Sequence, residues 1–448
     1  MLPGCAAVGP NYVRPRMEPP PQYRFAGDQA QAESLADAPW WQVFADPTLQ
    51  ALVREAIANN LDLRAAVARV EQARAQAGIA KSFLYPQVDA TADYAVRQHF
   101  GGSEDEDVHH GGTYGFQLSW ELDLFGRLRR EKEAAYARLL ATDQGRRGVL
   151  VTLVADAAST YFLLRELDLE LDIARRTLRV NDETVTYFQN RLDGGVSNRL
   201  ELDRIRANRA VTAAAIPDLE RQIAVAENAL SLLLGRPPGA IARGLVDPEP
   251  VEPPDIPPGL PAALLERRPD VIQAEQFLVA ANADVGAAKA LFFPTISLTG
   301  FLGGLSGDLV TLLGGSGGVW SISPGLLQPV FQGGRLRRNL EAARASFDEA
   351  VAQYQKAALN GYREVADALV TIAKLSSIRL ERQTGVVALQ DASDLSRARY
   401  ESGLASYIEI LTADQQLFEQ ELLLAQTRGE EFRARSELYR ALGGGWQP

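Results

Sequence analysis

The sequence predicts an α+β fold built from two tandem structural repeats, each a β-hairpin followed by a long helical hairpin. Three observations carry that class. The first is a duplication: Pro294 stands 208 positions after Pro86, and at the same offset Asp270 matches Asp62, Gly286 matches Gly78 and Lys289 matches Lys81. The run Gly126-Arg127-Leu128-Arg129-Arg130 returns as Gly334-Arg335-Leu336-Arg337-Arg338, and Arg191, Gly195 and Glu201 return as Arg399, Gly403 and Glu409. A unit this long exceeds the roughly 20–50 residues of a solenoid repeat. The second is an unbroken alternation in which Tyr114, Phe116, Leu118, Trp120, Leu122 and Leu124 oppose Gln117, Ser119, Glu121 and Asp123, the period of a strand with one apolar and one polar face. The third is a pair of stretches, 128–192 and 336–400, with few helix breakers; about 65 helical residues reach roughly 100 Å, beyond any globular core.

Each element then follows in order. Residues 49–81 are rich in Ala, Leu, Glu, Gln and Arg and lack proline, so one helix is expected there, with its twin at 264–291. Tyr85-Pro86 and Phe293-Pro294 close these helices, because the residue before proline avoids the helical region. The strand around 88–97 places Val88, Ala90, Ala92, Tyr94 and Val96 opposite Asp89, Thr91, Asp93 and Arg97. In the second repeat Ile296, Leu298 and Leu302 alternate with Ser297 and Thr299, and Trp320, Ile322 and Leu326 with Ser321 and Ser323. A shift of 208 carries apolar face onto apolar face.

Two readings fit such strands: a soluble antiparallel sheet with one wet face, or staves of a transmembrane barrel facing lipid on one side and a polar lumen on the other. Four strands close a barrel only if several protomers contribute, since small barrels need about eight. The long Gly-rich loops at 98–111 and 303–318, the first carrying Glu104-Asp105-Glu106-Asp107, favour the barrel. In the long helices, Leu336, Leu340, Ala343, Phe347, Ala350 and Tyr354 step by fours and threes like a coiled-coil seam. Glycine-containing turns at 193–197 and 401–406 end them, with a serine expected to open each returning helix, at 198–234 with a kink at Pro217 and at 407–442. The domain plan is an N-terminal segment 1–47, repeat 1 at 48–234, a Pro-rich linker at 235–262, repeat 2 at 263–442 and a tail at 443–448.

Composition removes several function classes. A net charge of −11 disfavours nucleic acid. No run approaches the roughly 18 consecutive apolar residues of a membrane-spanning helix, which excludes an inner-membrane helical transporter. One cysteine, three histidines and two methionines leave little for a metal site. Neither a phosphate-binding loop, a zinc motif nor a nucleophile elbow is present, so no enzyme is expected. The single cysteine sits in Leu2-Pro3-Gly4-Cys5, which reads equally as the end of a lipoprotein signal or as an incidental thiol.

Arg267-Arg268-Pro269-Asp270, Ala280-Ala281-Asn282-Ala283, Gly286 and Phe293-Pro294, with Val8-Gly9-Pro10-Asn11-Tyr12 after Cys5, the segment Trp40, Phe44, Asp46-Pro47, Leu49, and Leu234-Gly235-Arg236-Pro237, resemble TolC-like outer-membrane efflux proteins over nearly the whole chain. The Cys5 opening points to the lipoprotein branch that serves RND-type drug-efflux pumps. The resemblance implies a homotrimer whose four strands per protomer close a twelve-stranded barrel, continued by a long α-helical barrel. It also implies a lipid on Cys5 and outer-membrane lipid around the barrel. The expected partners are a periplasmic adaptor and an inner-membrane RND-type transporter. No cofactor is expected beyond that lipid.

By the same resemblance, Ile408 falls on an apolar periplasmic constriction and Arg399 and Tyr400 on residues that tie neighbouring helices shut. The family's carboxylate ring falls on Thr412, which carries no charge; Asp414 lies two residues further on. The tips Gly194-Gly195-Val196 and Gly403-Leu404-Ala405 are expected adaptor contacts. Asp89, Asp93, Glu121 and Asp123 are expected to face the lumen and favour cations. The expected function is a passive exit duct for drugs or other small molecules. The alternatives are a duct for type I protein secretion or metal-ion efflux, and, in another class, a soluble periplasmic coiled-coil adaptor whose 114–124 face would be buried in protein.

Overall fold

The structure is a computed structural model that describes residues 7–21, 23, 46–98, 108–244, 261–306 and 318–444. Cys5 and most of the linker and long loops lie outside the described residues. In chain order the elements are α1 (Pro47–Asn59), α2 (Leu61–Ser82), β1 (Gln87–Gln98), β2 (Val108–Leu122), α3 (Arg127–Asp193) and α4 (Arg199–Leu233). The second repeat supplies α5 (Pro261–Arg267), α6 (Pro269–Ala290), β3 (Thr295–Ser306), β4 (Gly318–Leu327), α7 (Arg335–Glu401) and α8 (Tyr407–Ala441). The pairs α2/α6, β1/β3, α3/α7 and α4/α8 each begin and end 208 residues apart.

Helix ends recur in the same way, because the same residues close them. At Gly195 and Gly403, φ is +72° and +70°, a conformation glycine alone adopts without penalty. Val196 N–H then donates to Arg191 O and Leu404 N–H to Arg399 O, both at 2.9 Å, which satisfies carbonyls the helix leaves free. Asn198, rather than the expected Ser197, caps α4 by accepting from Glu201 N–H at 2.9 Å. Ser406 occupies the corresponding position of α8 without a side-chain cap bond. Helix α4 continues through Pro217 to Leu233.

One helix expected at 49–81 is two. Asn60 takes an extended conformation (ψ 131°), its Oδ1 accepts from Leu63 N–H at 2.9 Å and its Nδ2 donates to Leu233 O at 3.0 Å. Ending one helix and capping the next outweighs the helix propensity of the flanks. Its twin Arg268 donates through Nη1 to Ala441 O at 2.8 Å, again 208 residues on. An amide and a guanidinium thus do one job in the two repeats. A second correction concerns α3, which contains one stretch apolar enough by composition to cross a membrane. Half of that stretch is buried, in a helical core that includes Val154, Tyr161 and Leu164.

Two compact units emerge. The first comprises Met1–Met17, Ala68–Gln144 and Ile272–Lys356. It contains a four-stranded antiparallel sheet in the order β1-β2-β3-β4. Its N-terminal strap explains the run 8–12: Val8 N–H donates to Phe125 O at 2.9 Å, and Gly9 lies so close to the Gly286 backbone that a β-carbon on Gly9 would stand 2.4 Å from Gly286 Cα. Pro10 O accepts from Asn282, Asn11 Oδ1 from Arg130, and the Tyr12 hydroxyl donates to Glu275 at 3.0 Å. Arg14 forks onto the same buried carboxylate at 2.5 and 2.6 Å, the strong bidentate geometry.

The second unit comprises Glu18–Val67, Gly145–Val271 and Ala357–Pro448. Leu49, Tyr161, Leu164, Leu230 and Leu438 are fully enclosed in its main core, each contributing about 1.5–3 kcal/mol of burial.

Candidate channel surface and gate

Strand pairing sorts the sheet into two faces. Ala90, Phe116, Leu302 and Trp320 form one cross-sheet row, and Val88, Leu118, Gly300 and Ile322 the next. This apolar face is open: Phe116 is 59% exposed, Leu302 64% and Trp320 73%. A face buried in protein, as a soluble adaptor requires, is not what these residues form in the chain. Close strand approach depends on glycine, since a β-carbon on Gly115 would meet Leu302 O at 2.5 Å and Gly303 Cα at 2.7 Å. The Tyr114 ring fills the space over its pairing partner Gly304.

The opposite face carries Asp89, Gln117, Phe301 and Ser321 in one row and Asp93, Thr113 and Leu305 in another. Its described carboxylates sit only on β1 and β2. Asp89 and Asp93 are exposed. Glu121 instead holds Arg127 through bonds of 2.6 and 3.1 Å. Asp123 corrects the sequence reading: β2 ends at Leu122, and the nearly buried Asp123 carboxylate accepts from Leu128 N–H, Arg129 N–H and Arg129 Nε at 3.0–3.1 Å. It starts α3, where an anion is favoured by the helix N-terminus; it does not line the polar face. Among the described residues both outer strands, β1 and β4, present unpaired edges.

In the second unit the two long hairpins pack side by side near their turns. Phe188 of α3 is fully buried, with the Tyr407 ring 4.3 Å and the Tyr400 ring 6.1 Å from its own. Tyr400 and Tyr407 meet edge to face at 5.6 Å. Burial pushes the Tyr407 hydroxyl up to about 12 and raises Tyr400 as well. Arg191 lies 5.6 Å from the Tyr187 ring centroid and 5.9 Å from that of Tyr400, and donates to Tyr187 Oη at 3.0 Å and Val196 O at 3.3 Å. In the sequence Arg191 stands only as the echo of Arg399; Tyr187, one turn earlier on the same helix, is the partner that local spacing could have pointed to, whereas Tyr400 comes from α7 and leaves no local signal.

The expected gate residues divide by face. Arg399 is half exposed, 3.7 Å from Glu409. Tyr400 belongs to the aromatic cluster. Ile408 and Thr412, one turn apart on α8, are exposed, as is Leu404 in the turn before the helix, and Thr412 Oγ1 donates back to Ile408 O at 2.8 Å. Asp414 does not join them: it accepts from Ser393 Oγ and lies 3.7 Å from Arg397, inside its own hairpin. At the tips, Val196 and Leu404 are exposed, and the β-positions of Gly195 and Gly403 have open space around them. Gly194 sits one residue before the first of these turns and Ala405 follows Leu404 in the second.

Residues 52–236 and 260–444 match the family described as outer membrane efflux protein, and the two matched segments begin and end 208 residues apart. Cation efflux system protein CusC of Escherichia coli O6:H1 is 34% identical over 448 residues, covering 100% of this chain and 97% of that one. Probable efflux pump outer membrane protein TtgC of Pseudomonas putida is 33% identical over 460 residues, covering 100% and 94%. The solved structure of the outer-membrane channel OprN aligns with a TM-score of 0.89 and 32% identity over 98% of this chain and 100% of that one.

Proposed function

This chain belongs to the outer membrane efflux protein family and is an outer-membrane efflux channel; from that premise we propose that three copies close a twelve-stranded barrel and serve as the passive exit duct of a pump whose adaptor docks at the helix tips. The observation that carries this reading is the sheet: among the described residues, four strands with two unpaired edges and an exposed apolar face. In lipid an unpaired edge leaves backbone groups without partners, each costing several kcal/mol. Joining edges between copies removes that cost and turns the apolar face to hydrocarbon.

The gate belongs to the tip region. Ile408 and Thr412 on α8 and Leu404 in the turn before it are exposed, with no carboxylate among the three, so closure there works by an apolar constriction that repels water. Arg399 and Tyr400 act beside it, with Arg191 and Phe188 supporting Tyr400. Cys5 takes a lipid that anchors the strap in the outer membrane, an assignment supported by the apolar and small residues before it. The adaptor reads the exposed tips around Gly195 and Gly403.

Cargo follows the pump. The two relatives carry names from cation efflux and from an efflux pump, and the exposed Asp89 and Asp93 accommodate cations without defining them. The test is fractionation: the chain is expected in the outer-membrane fraction as a heat-sensitive oligomer that only detergent extracts. Release by buffer alone overturns the channel reading.

A further inference from the structure

We propose that Arg335 is a specificity-determining residue of the passage, an anion-coordinating group that repeat 2 presents where repeat 1 presents a neutralised arginine. The inference rests on the reading of the polar face as the lumen wall and adds to it a class of cargo, organic molecules that carry a negative group.

The two repeats share the charge of that face unequally. In repeat 1 the polar rows hold Asp89 and Asp93 on β1 and Glu121 on β2. A shift of 208 turns these into Ser297, Phe301 and Pro329, and neither β3 nor β4 contains a charged residue. Carboxylates line one half of each chain's wall and are missing from the other.

The arginine that follows the strands is kept in both repeats. Arg127, the first residue of α3, holds Glu121 at 2.6 and 3.1 Å and Glu131 at 2.7 Å. Glu121 continues the row of Gln117 and Ser119, so the Arg127 guanidinium stands at the end of the polar face. Its twin Arg335 opens α7, and both acidic partners are replaced: Pro329 stands for Glu121 and Asn339 for Glu131. Among the described residues the Arg335 side chain meets a neutral amide instead, Gln332 Oε1 at 2.5 and 3.1 Å. Arg335 and Asn339 are both exposed. The repeat 1 cluster therefore keeps an excess of negative charge, and the repeat 2 cluster is cationic.

The next arginines of α7 do not share this position. Arg337 and Arg338 both turn to Glu341, at 3.0 and 2.7 Å. Their twins lie off the polar face, Arg129 on Asp123 and the Leu124 carbonyl, Arg130 across Gly286.

Basic side chains placed around a passage favour anions, as carboxylates favour cations. In a ring of three copies, three Arg335 alternate with three Arg127–Glu121 pairs. A carboxylate on a passing molecule replaces the neutral Gln332 contact with a charge-assisted, forked bond. Because the site is exposed, that bond is weak, which lets the molecule leave. The wall thus offers Asp89 and Asp93 to positive groups and Arg335 to negative ones, and it passes anionic and zwitterionic molecules as well as cations.

The test uses full-length protein in planar bilayers, with citrate on both sides as the probe. Citrate is expected to lower the native conductance to potassium chloride, and Arg335→Gln to reduce that block by a factor of about two or more. The reversal potential of the same variant in asymmetric potassium chloride is expected to shift toward cations. Asn339→Glu gives the same two results with Arg335 in place, because it restores the four-residue pairing of Arg127 with Glu131. Arg337→Gln removes an equal charge from elsewhere on α7 and leaves both readouts near the native values. Equal effects from Arg335→Gln and Arg337→Gln overturn the assignment to this residue. Native channels that ignore citrate, or a block undiminished in both Arg335→Gln and Asn339→Glu, overturn the proposal while leaving the channel reading intact. Failure of every chain to conduct overturns the channel reading and the proposal with it.

Discussion

Gly429 of α8 lies against Glu166 of α3, so that a β-carbon on residue 429 would stand 2.7 Å from Glu166 Cβ. The close approach lets Arg433 pair with the Glu166 carboxylate across the two helices. Gly429→Ala is therefore expected to force the helices apart or turn Glu166 away from Arg433, at a cost of about 1–3 kcal/mol. A lower thermal midpoint by circular dichroism in detergent checks this; an unchanged midpoint means that the contact yields without strain.

Glu166 also makes stability depend on pH. Burial pushes its carboxyl up from the usual value to about 7, against the opposing pull of Arg433 and with the nearby carboxylates Glu170 and Glu430 adding to the rise. A folded-state value above the unfolded one means that the folded protein holds the proton more tightly. That stabilisation is complete below about pH 4.5 and disappears as pH rises through about 7, a change of up to about 3 kcal/mol. The thermal midpoint is expected to fall between pH 5 and pH 8 in the native chain and to fall less in Glu166→Gln. Equal slopes contradict the assignment.

Replacing Arg399 and Tyr400 together with alanine removes the Glu409 partner and one wall around Phe188. Larger single-channel conductance in a planar bilayer is expected, whereas Tyr400→Phe, which keeps the ring, leaves conductance near the native value. Unchanged conductance in the double variant counts against the gate assignment.

The polar face offers a contrast between free and engaged carboxylates. If the polar face lines the lumen as proposed, Asp89→Asn with Asp93→Asn is expected to lower the cation-to-anion permeability ratio by a factor of about two or more, because both groups are exposed on that face. Glu121→Gln leaves the ratio nearly unchanged, since Arg127 already neutralises that carboxylate. Reversal potentials in asymmetric salt distinguish the two; a larger effect from Glu121 reverses the argument.

Gly195 and Gly403 hold positive φ with open space at the β-position, so alanine there meets backbone strain alone, about 1–2 kcal/mol. Faster amide exchange at the adjoining turns is expected in Gly195→Ala and Gly403→Ala. Unaltered exchange means that the turn relaxes into another conformation.

What the sequence made legible was whatever depends on local pattern. Alternation over Tyr114–Leu122 and the breaker-free long helices located strands and hairpins because side-chain period follows directly from backbone geometry. The duplication extended each reading to its twin. What stayed hidden depends on distant partners. Asn60 breaks a helix because its side chain reaches Leu233, Asp123 leaves the polar face to start α3, and Asp414 turns toward Ser393 and Arg397. Neither alternation nor propensity records such contacts. Equal residues with unequal partners, such as Arg127 and Arg335, became informative only when sequence equivalence met structure.

The central claim is that this chain forms a water-filled pore across the outer membrane, and ion flow through purified protein in a planar bilayer tests it most directly. Discrete conductance steps that grow when Arg399 and Tyr400 are replaced are the expected result. A chain that stays soluble without detergent and adds no conductance to the bilayer contradicts the claim.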